Sequence, residues 1–502
     1  MRLDSIIYLT FAGAGLVLLL PRERKDLIRW TALATGVAGL LIALGGCFAY
    51  SGPGFVHLVN VPWIPSLGAR YHLAVDGLNL PLILLNGIVC VTGILFSWNI
   101  EERVKEFFAF FLTLIAGVYG VFMAMDLFLL FVFYELAIVP KYFIIAIWGS
   151  TRKEYGAMKL VLYSFIGSAA VFIGILVARF ASPVASFDII ELAAHPMARQ
   201  VQVWVFPLIF TGFAVLAGMW PFHTWAPTGH VAAPTAASML LAGVVMKLGS
   251  YGCLRAAMFL FPAGLVHWQW EIAWLGVIGI LYGAAVALVQ KDFKFIIGYS
   301  SVSHMGFVLL GLATLNRDGM SGAVLQMFSH GIIASLLFAV VGRMVYDRTH
   351  TRQLDELGGL SKVIPFACVT FIIGGAASMG MPGFSGFVAE IQVLIGAFRM
   401  SPWLAAAAGA SIAVTAAYIL NAINKVFFGK DDPPAPKGFG VAGDHGHGPA
   451  AAEGHHALPA ITMPEVVGAV ILMAALVIIG LYPQALLNMI QENVDLFLKG
   501  LP

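Results

Sequence analysis

The chain has 502 residues, of which 60% are hydrophobic and 11% charged, and a formal net charge of +2. Soluble domains carry roughly 25% charged residues, so this composition excludes an ordinary soluble enzyme, and the near-neutral balance gives no basic surface for nucleic acid. Apolar runs of about 20 residues recur along the chain, which is the pattern of an all-α polytopic membrane protein.

Taken in order, fourteen spans are expected, at roughly 5–21, 29–50, 75–98, 106–124, 127–149, 159–180, 203–224, 237–259, 270–290, 294–314, 321–346, 364–396, 402–424 and 464–485. The basic cluster Arg22, Arg24 and Lys25 follows the first span and no small-residue cleavage site does, so that span reads as an uncleaved helix. The Pro- and Gly-rich connection Ser51–Tyr71 is expected to fold over one face of the bundle. Lysine and arginine concentrate in alternate connections, among them Arg22, Lys25, Arg103, Arg152, Lys294, Arg352 and Lys425, while Arg2, Arg70, Arg179, Arg255 and Arg317 fall on the other side. By the positive-inside rule the richer side is cytoplasmic and both termini are outside. The four cysteines are isolated and show no metal or disulfide spacing.

Segment 426–463 contains Pro433, Pro434, Pro436, His445, His447, His455 and His456 among Gly and Ala, and reads as a cytoplasmic linker. After the last span, Ala485–Lys499 has the pattern of an amphipathic helix lying on the membrane.

Two stretches interrupt their spans. Between Gly218 and Thr228 stand Pro221 and Pro227, and Ser378–Gly386 contains Gly380, Pro382 and Gly383. Such breaks free carbonyls that hydrocarbon cannot satisfy, so they must line protein or water. Each leads toward an ionisable residue, Lys247 after the first and Glu390 after the second. Paired interrupted helices point to an internal repeat. Spans 4–8 and 9–13 are therefore read as two five-helix repeats, inverted because five is odd. The resulting division is 1–105 for the first three helices, 106–260 and 261–425 for the repeats, 426–463 for the linker and 464–502 for the last helix and tail.

The charges inside the spans carry the functional reading. A lysine at the bilayer centre costs at least about 2.5 kcal/mol on insertion scales, and intramembrane ionisable groups usually mark ion pathways. Lys247 shares its helix face with Leu240, Gly243, Ser250 and Tyr251. Glu135 sits in the fifth span, and Lys141, six residues on, lies about 240° around an ideal helix from it, with Pro140 between. His304 follows Tyr299, Ser300 and Ser301, and His330 has Gln326 a turn away. Two histidines on adjacent spans with such neighbours suit a proton relay, because imidazole both accepts and donates near neutral pH. Glu390 completes the set, with Lys141 and His223 as further candidates. No phosphate loop, dinucleotide fingerprint, cysteine cluster or nucleophile elbow is visible, so no cofactor or metal is expected.

The segments TyrGluLeu at 134–136, HisThrTrpAlaPro at 223–227, AlaProThrAla at 233–236, GlnLysAspPheLys at 290–294, TyrSerSerValSerHisMetGly at 299–306, SerHisGly at 329–331 and MetGlyMetProGly at 379–383 together make the chain resemble the antiporter-like subunits of bacterial respiratory complex I, of the chain 4 type. Mrp-type antiporters and membrane-bound hydrogenases share that fold. The resemblance implies a fourteen-helix membrane-arm subunit with inverted repeats and broken helices 7 and 12, flanked by similar subunits, with NADH and quinone bound elsewhere in the complex. It implies Glu135 as the inlet carboxylate, Lys247 as central carrier, His304 and His330 as relay and Glu390 as the acid leading outward. Two positions depart from the family pattern. Leu216 stands where a lysine would pair with Glu135, and Thr228 where an acid is usual. A Mrp-type antiporter subunit and a non-conducting spacer are the alternatives.

Overall fold

The computed structural model describes residues 2–429 and 458–501. The membrane-side helices are α1 (Ser5–Leu19), α2 (Lys25–Ala49), α3 (Leu80–Phe96), α4 (Val104–Met123), α5 (Leu127–Trp148) and α6 (Lys153–Ala181). They are followed by α7 (Arg199–Ala217), α8 (Trp225–Ala232), α9 (Thr235–Met258), α10 (Pro262–Val289), α11 (Phe293–Ala313) and α12 (Arg317–Thr349). The chain ends with α13 (Pro365–Ser378), α14 (Ser385–Met400), α15 (Pro402–Phe428), α16 (Met463–Leu481) and α17 (Gln484–Lys499). Among the described residues, eleven helical segments are long and apolar enough to cross a membrane, and the shorter apolar helices α1, α3 and α13 accompany them. The helical class expected from composition holds. The histidines of the 426–463 linker lie outside the described residues.

One element departs from an all-helical reading. The connection after α2 is an antiparallel hairpin of β1 (Val56–Ile64) and β2 (Ala69–Val75), with Asn60 opposite His72 and a register shift next to Pro62, which has no N–H for the ladder. Its turn closes through Gly68 at φ +75°, where a Cβ would lie 2.8 Å from the Ala185 carbonyl oxygen. The hairpin also moves the start of the third helix. Val75 ends β2, and Asp76 accepts from the Leu78 and Asn79 amides in a tight turn, so α3 begins at Leu80 and not near residue 75.

The C-terminal helix α17 forms as its spacing dictates, but its apolar stripe of Leu486, Leu487, Ile490, Val494 and Phe497 is buried against the protein rather than left free for a bilayer surface. Asn493 on the same helix accepts from the Gly54 amide and donates to the Tyr50 hydroxyl. Hairpin and tail thus cover one end of the bundle, hereafter the hairpin face.

Both expected breaks are present. Helix α7 ends at Gly218, φ +78°, where a Cβ would lie 2.5 Å from the Met246 side chain, and a single turn, Phe222–Thr224, leads into α8. The Val215 carbonyl near the break accepts from Trp225 Nε1 at 2.7 Å, so a group that hydrocarbon would leave bare is satisfied inside the protein. The twelfth expected span is two helices, α13 and α14, separated by Gly380 and Gly383 at φ +68° and +98°.

Helix α9 is buried from Ala236 onward and contains two widened turns, Leu241–Val245 and Cys253–Met258, on either side of the regular segment Met246–Gly252. Widened turns of this kind recur at functional sites because they shift the backbone by one residue and offer a carbonyl to a side chain. Gly249 lets the segment lie against α7, since a Cβ there would come 2.3 Å from the Ala217 amide nitrogen.

A buried chain of proton-exchanging side chains

Lys247 is fully buried at the middle of α9. Its Nζ donates to the Ala242 carbonyl, five residues back in the widened turn, at 2.5 Å, and lies 2.8 Å from Nδ1 of His330 on α12. The His330 ring is next to that of His304 on α11, with centroids 5.3 Å apart. His304 in turn places Nδ1 3.0 Å from Glu390 Oε1 and Nε2 3.0 Å from the Ser378 hydroxyl. With Glu390 ionised, Nδ1–H donates to the carboxylate and Nε2 accepts from Ser378. Gln326 donates to the same Glu390 oxygen at 3.3 Å.

The second break builds the far end of this chain. Ser378 is the last residue of α13, Glu390 lies on α14, and at Gly380 between them a Cβ would stand 2.9 Å from Glu390 Oε2. Four of the residues singled out from the sequence, Lys247, His330, His304 and Glu390, are therefore joined in one buried run across α9, α12, α11 and α14.

The other three are not joined to it. His223 is buried edge-on against Tyr282 and Tyr299, and neither ring nitrogen has a hydrogen-bond partner. Glu135 is half-buried on α5, and its Oε1 is without a partner. Lys141, 1% exposed, sits in an apolar crevice between Leu114, Ile144, Ala237 and Leu240, and its Nζ is also unpartnered. The two charges interact through space but form no ion pair, as the angle around α5 requires. Leu216 is buried in α7 and supplies no counter-ion. A buried donor left unsatisfied costs about 1–3 kcal/mol, so Lys141→Met is expected to stabilise the protein by an amount of that order and leave proton transfer unchanged. Thermal unfolding of the purified protein and the proton-to-electron ratio in vesicles measure the two effects, and a lowered ratio would make Lys141 part of the path.

Sequence reading assigned no role to His230 or Lys294, yet both lead to Lys247 from the end opposite the hairpin. His230, on α8, is fully buried with both ring nitrogens unpartnered and lies within electrostatic reach of Lys247 and Lys294. Lys294 Nζ donates to the Ala233 carbonyl at 2.8 Å. It lines a cavity of about 400 Å³ together with Glu101, Trp148, Lys153, Pro234 and Asp347. The sequence signal for His230 was its place beside the broken stretch. Lys294 had none, because a lysine at a span end looks like any other topology-setting charge.

A polytopic helix bundle with two interrupted helices and a buried run of amine, imidazole and carboxylate groups between them has the architecture of an ion-translocating membrane subunit. The chain belongs to the NADH:quinone oxidoreductase/Mrp antiporter transmembrane family, which matches residues 124–415. It is 36% identical over 445 residues to NAD(P)H-quinone oxidoreductase chain 4-2 of Synechocystis, covering 86% of this chain and 79% of the relative. Among solved structures, it superposes on a chain of respiratory complex I from Thermus thermophilus with bound NADH at a TM-score of 0.87, with 28% identity and full coverage of both chains. A chain of the Mrp complex from Dietzia shares the fold at a TM-score of 0.86 and 21% identity, over 98% of this chain and 96% of that one.

Proposed function

We propose that this chain is a proton-translocating membrane-arm subunit of a complex I-type NADH:quinone oxidoreductase, and that it moves protons through Lys247, His330, His304 and Glu390 while other subunits bind NADH and quinone and carry out electron transfer. The observation that carries the reading is the continuity of the run. Lys247 contacts His330, and His304 contacts Glu390, with hydrogen-bond distances of 2.8 and 3.0 Å and two adjacent imidazoles between the pairs.

In this reading fourteen crossings, with α1, α3 and the pair α13/α14 counted as spans, form two inverted five-helix repeats at 106–260 and 261–425. The helices of 1–105 and the last helix and tail of 464–502 flank them, and the 426–463 linker is cytoplasmic. The hairpin face is then the outer side of the cytoplasmic membrane, with both termini, and the cavity at Lys294 opens to the cytoplasm. Protons pass from that cavity by way of Lys294 and His230 to Lys247. Each amine or imidazole takes a proton from one neighbour and gives it to the next, and Glu390 delivers it outward beside the α13–α14 break. Similar membrane-arm subunits flank the chain, and the half-buried carboxylate of Glu135 faces toward one of them. The NAD(P)H-quinone oxidoreductase name of the relatives favours this complex over a Mrp-type antiporter.

The lack of an ion-pair partner for Glu135, whose Oε1 is without a hydrogen bond, and the buried Leu216 favour a second reading, a spacer that conducts nothing. One substitution separates the two. His330→Leu in the assembled complex is expected to lower the proton-to-electron ratio measured in sealed vesicles, by the share this subunit contributes. An unchanged ratio would make the chain a spacer.

A further inference from the structure

From Lys247 there are two ways toward the hairpin face. One is the lateral route through the histidines. The other is straight along α9, where Tyr251 and Arg255 follow Lys247 at one and two turns on the same side. We propose that Arg255, held by Asp76, is a seal that closes the direct route and forces protons sideways through His330. This proposal rests on Lys247 being a proton carrier.

The geometry of the direct route makes it a dead end for protons. The Tyr251 hydroxyl donates to the Phe122 carbonyl at 2.9 Å and accepts from Arg255 Nε at 3.1 Å, so its proton is committed to a backbone carbonyl and its lone pair faces a donor. Arg255 Nη2 donates to Asp76 Oδ2 at 2.5 Å. A guanidinium has donors only and keeps its proton under all physiological conditions, so it can neither accept a proton from Tyr251 nor pass one to Asp76.

The surroundings pack the guanidinium tightly among apolar groups. Tyr251, Arg255 and Asp76 are all buried, and the guanidinium lies 5.0, 5.5 and 5.8 Å from the ring centres of Phe55, Tyr251 and Phe259. A cavity of about 140 Å³ on the hairpin face reaches Phe259 and Phe497, but neither Arg255 nor Asp76 forms part of its wall. The opposite end is open by contrast, with the 400 Å³ cavity reaching Lys294. The seal is also clamped from outside. The Gly77 amide, next to Asp76, donates to the Tyr50 hydroxyl that Asn493 of α17 holds, and a Cβ on Gly77 would clash with the Met489 carbonyl oxygen at 2.0 Å. The tail helix thus presses the Asp76 turn onto α9.

The test uses the whole complex in sealed vesicles and reads passive proton conductance from the decay of an imposed pH gradient, without NADH. Arg255→Lys keeps the cation and its partner but introduces an amine that can lose its proton. It is expected to assemble, to raise the passive conductance several-fold and to lower the proton-to-electron ratio while NADH:quinone electron transfer is unchanged. Adding Lys247→Ala should return the conductance to the parental level, because protons reach the seal through Lys247. Arg255→Met should leak likewise where it assembles, and Arg255→Lys decides the matter where it does not. An assembled Arg255→Lys complex that holds its gradient as tightly as the parent overturns the seal and leaves Arg255 a structural ion pair. Failure of the underlying reading would show separately, as a parental pumping ratio in Lys247→Ala alone.

Discussion

Replacing Lys247 with arginine is expected to abolish the proton transfer carried by this chain as completely as replacing it with alanine. The lysine touches both the widened turn of α9, through the Ala242 carbonyl, and the first imidazole of the relay, His330. Its task in the proposed mechanism is to hold a proton and then release it 2.8 Å away to Nδ1. Arginine keeps the charge but does not release the proton, because delocalisation over the guanidinium holds it above any physiological pH. Its planar five-donor fork is also larger than an ammonium, in a helix that is buried throughout. A third substitution separates carrier from structural cation. Lys247→Met has similar volume and removes a charge that no described acidic group neutralises in direct contact, so the assembled complex should be at least as heat-stable as the parent, since an isolated buried charge carries a desolvation cost. The proton-to-electron ratio of all three variants should fall to one common value. If Lys247→Arg pumps at the parental ratio, Lys247 is no carrier.

Much of this site could be read before any coordinates, and the reasons differ residue by residue. Lys247, Glu390 and the two breaks stood out because hydrocarbon penalises a charge or a bare carbonyl so heavily that a membrane chain retains one only where protein or water receives it. His304 and His330 stood out as imidazoles on adjacent spans. Their order along the path did not, because residues 247, 330, 304 and 390 meet only through contacts between distant helices. The same limit hid Arg255. In the sequence it reads as one of the outward-side topology charges, whereas it is buried against Asp76, a partner 179 positions away. Lys294 reads as a cytoplasmic-side topology charge and is likewise buried. The hairpin was missed for a local reason. Val56–Ile64 lacks a clean alternation of apolar and polar residues and contains Pro62, so its strand is made by pairing with Ala69–Val75 and by Gly68, not by its own pattern. For Glu135 and Lys141 the ideal-helix angle already disfavoured contact, and the packing agrees.

Glu390 is expected to tolerate aspartate better than glutamine. Its Oε1 accepts from His304 and from Gln326, and the left-handed turn at Gly380 leaves the other oxygen space beside the break. Glutamine preserves the shape but cannot hold a transferable proton. Its amide would also have to turn either its oxygen or its NH₂ toward a site where two donors already converge, and a charge-assisted hydrogen bond worth about 1.5–3 kcal/mol is lost in either case. Aspartate draws the carboxylate back by about one C–C bond, roughly 1.5 Å. That breaks the direct contact with His304 but leaves a titratable group next to the Gly380–Gly383 turn, which a single water can bridge. Glu390→Gln should therefore assemble normally and lose this subunit's share of the proton-to-electron ratio, whereas Glu390→Asp should keep part of it. Equal loss of assembly in both variants on native gels would instead make Glu390 a packing residue of α14, and the path would have to end at His304 and Ser378.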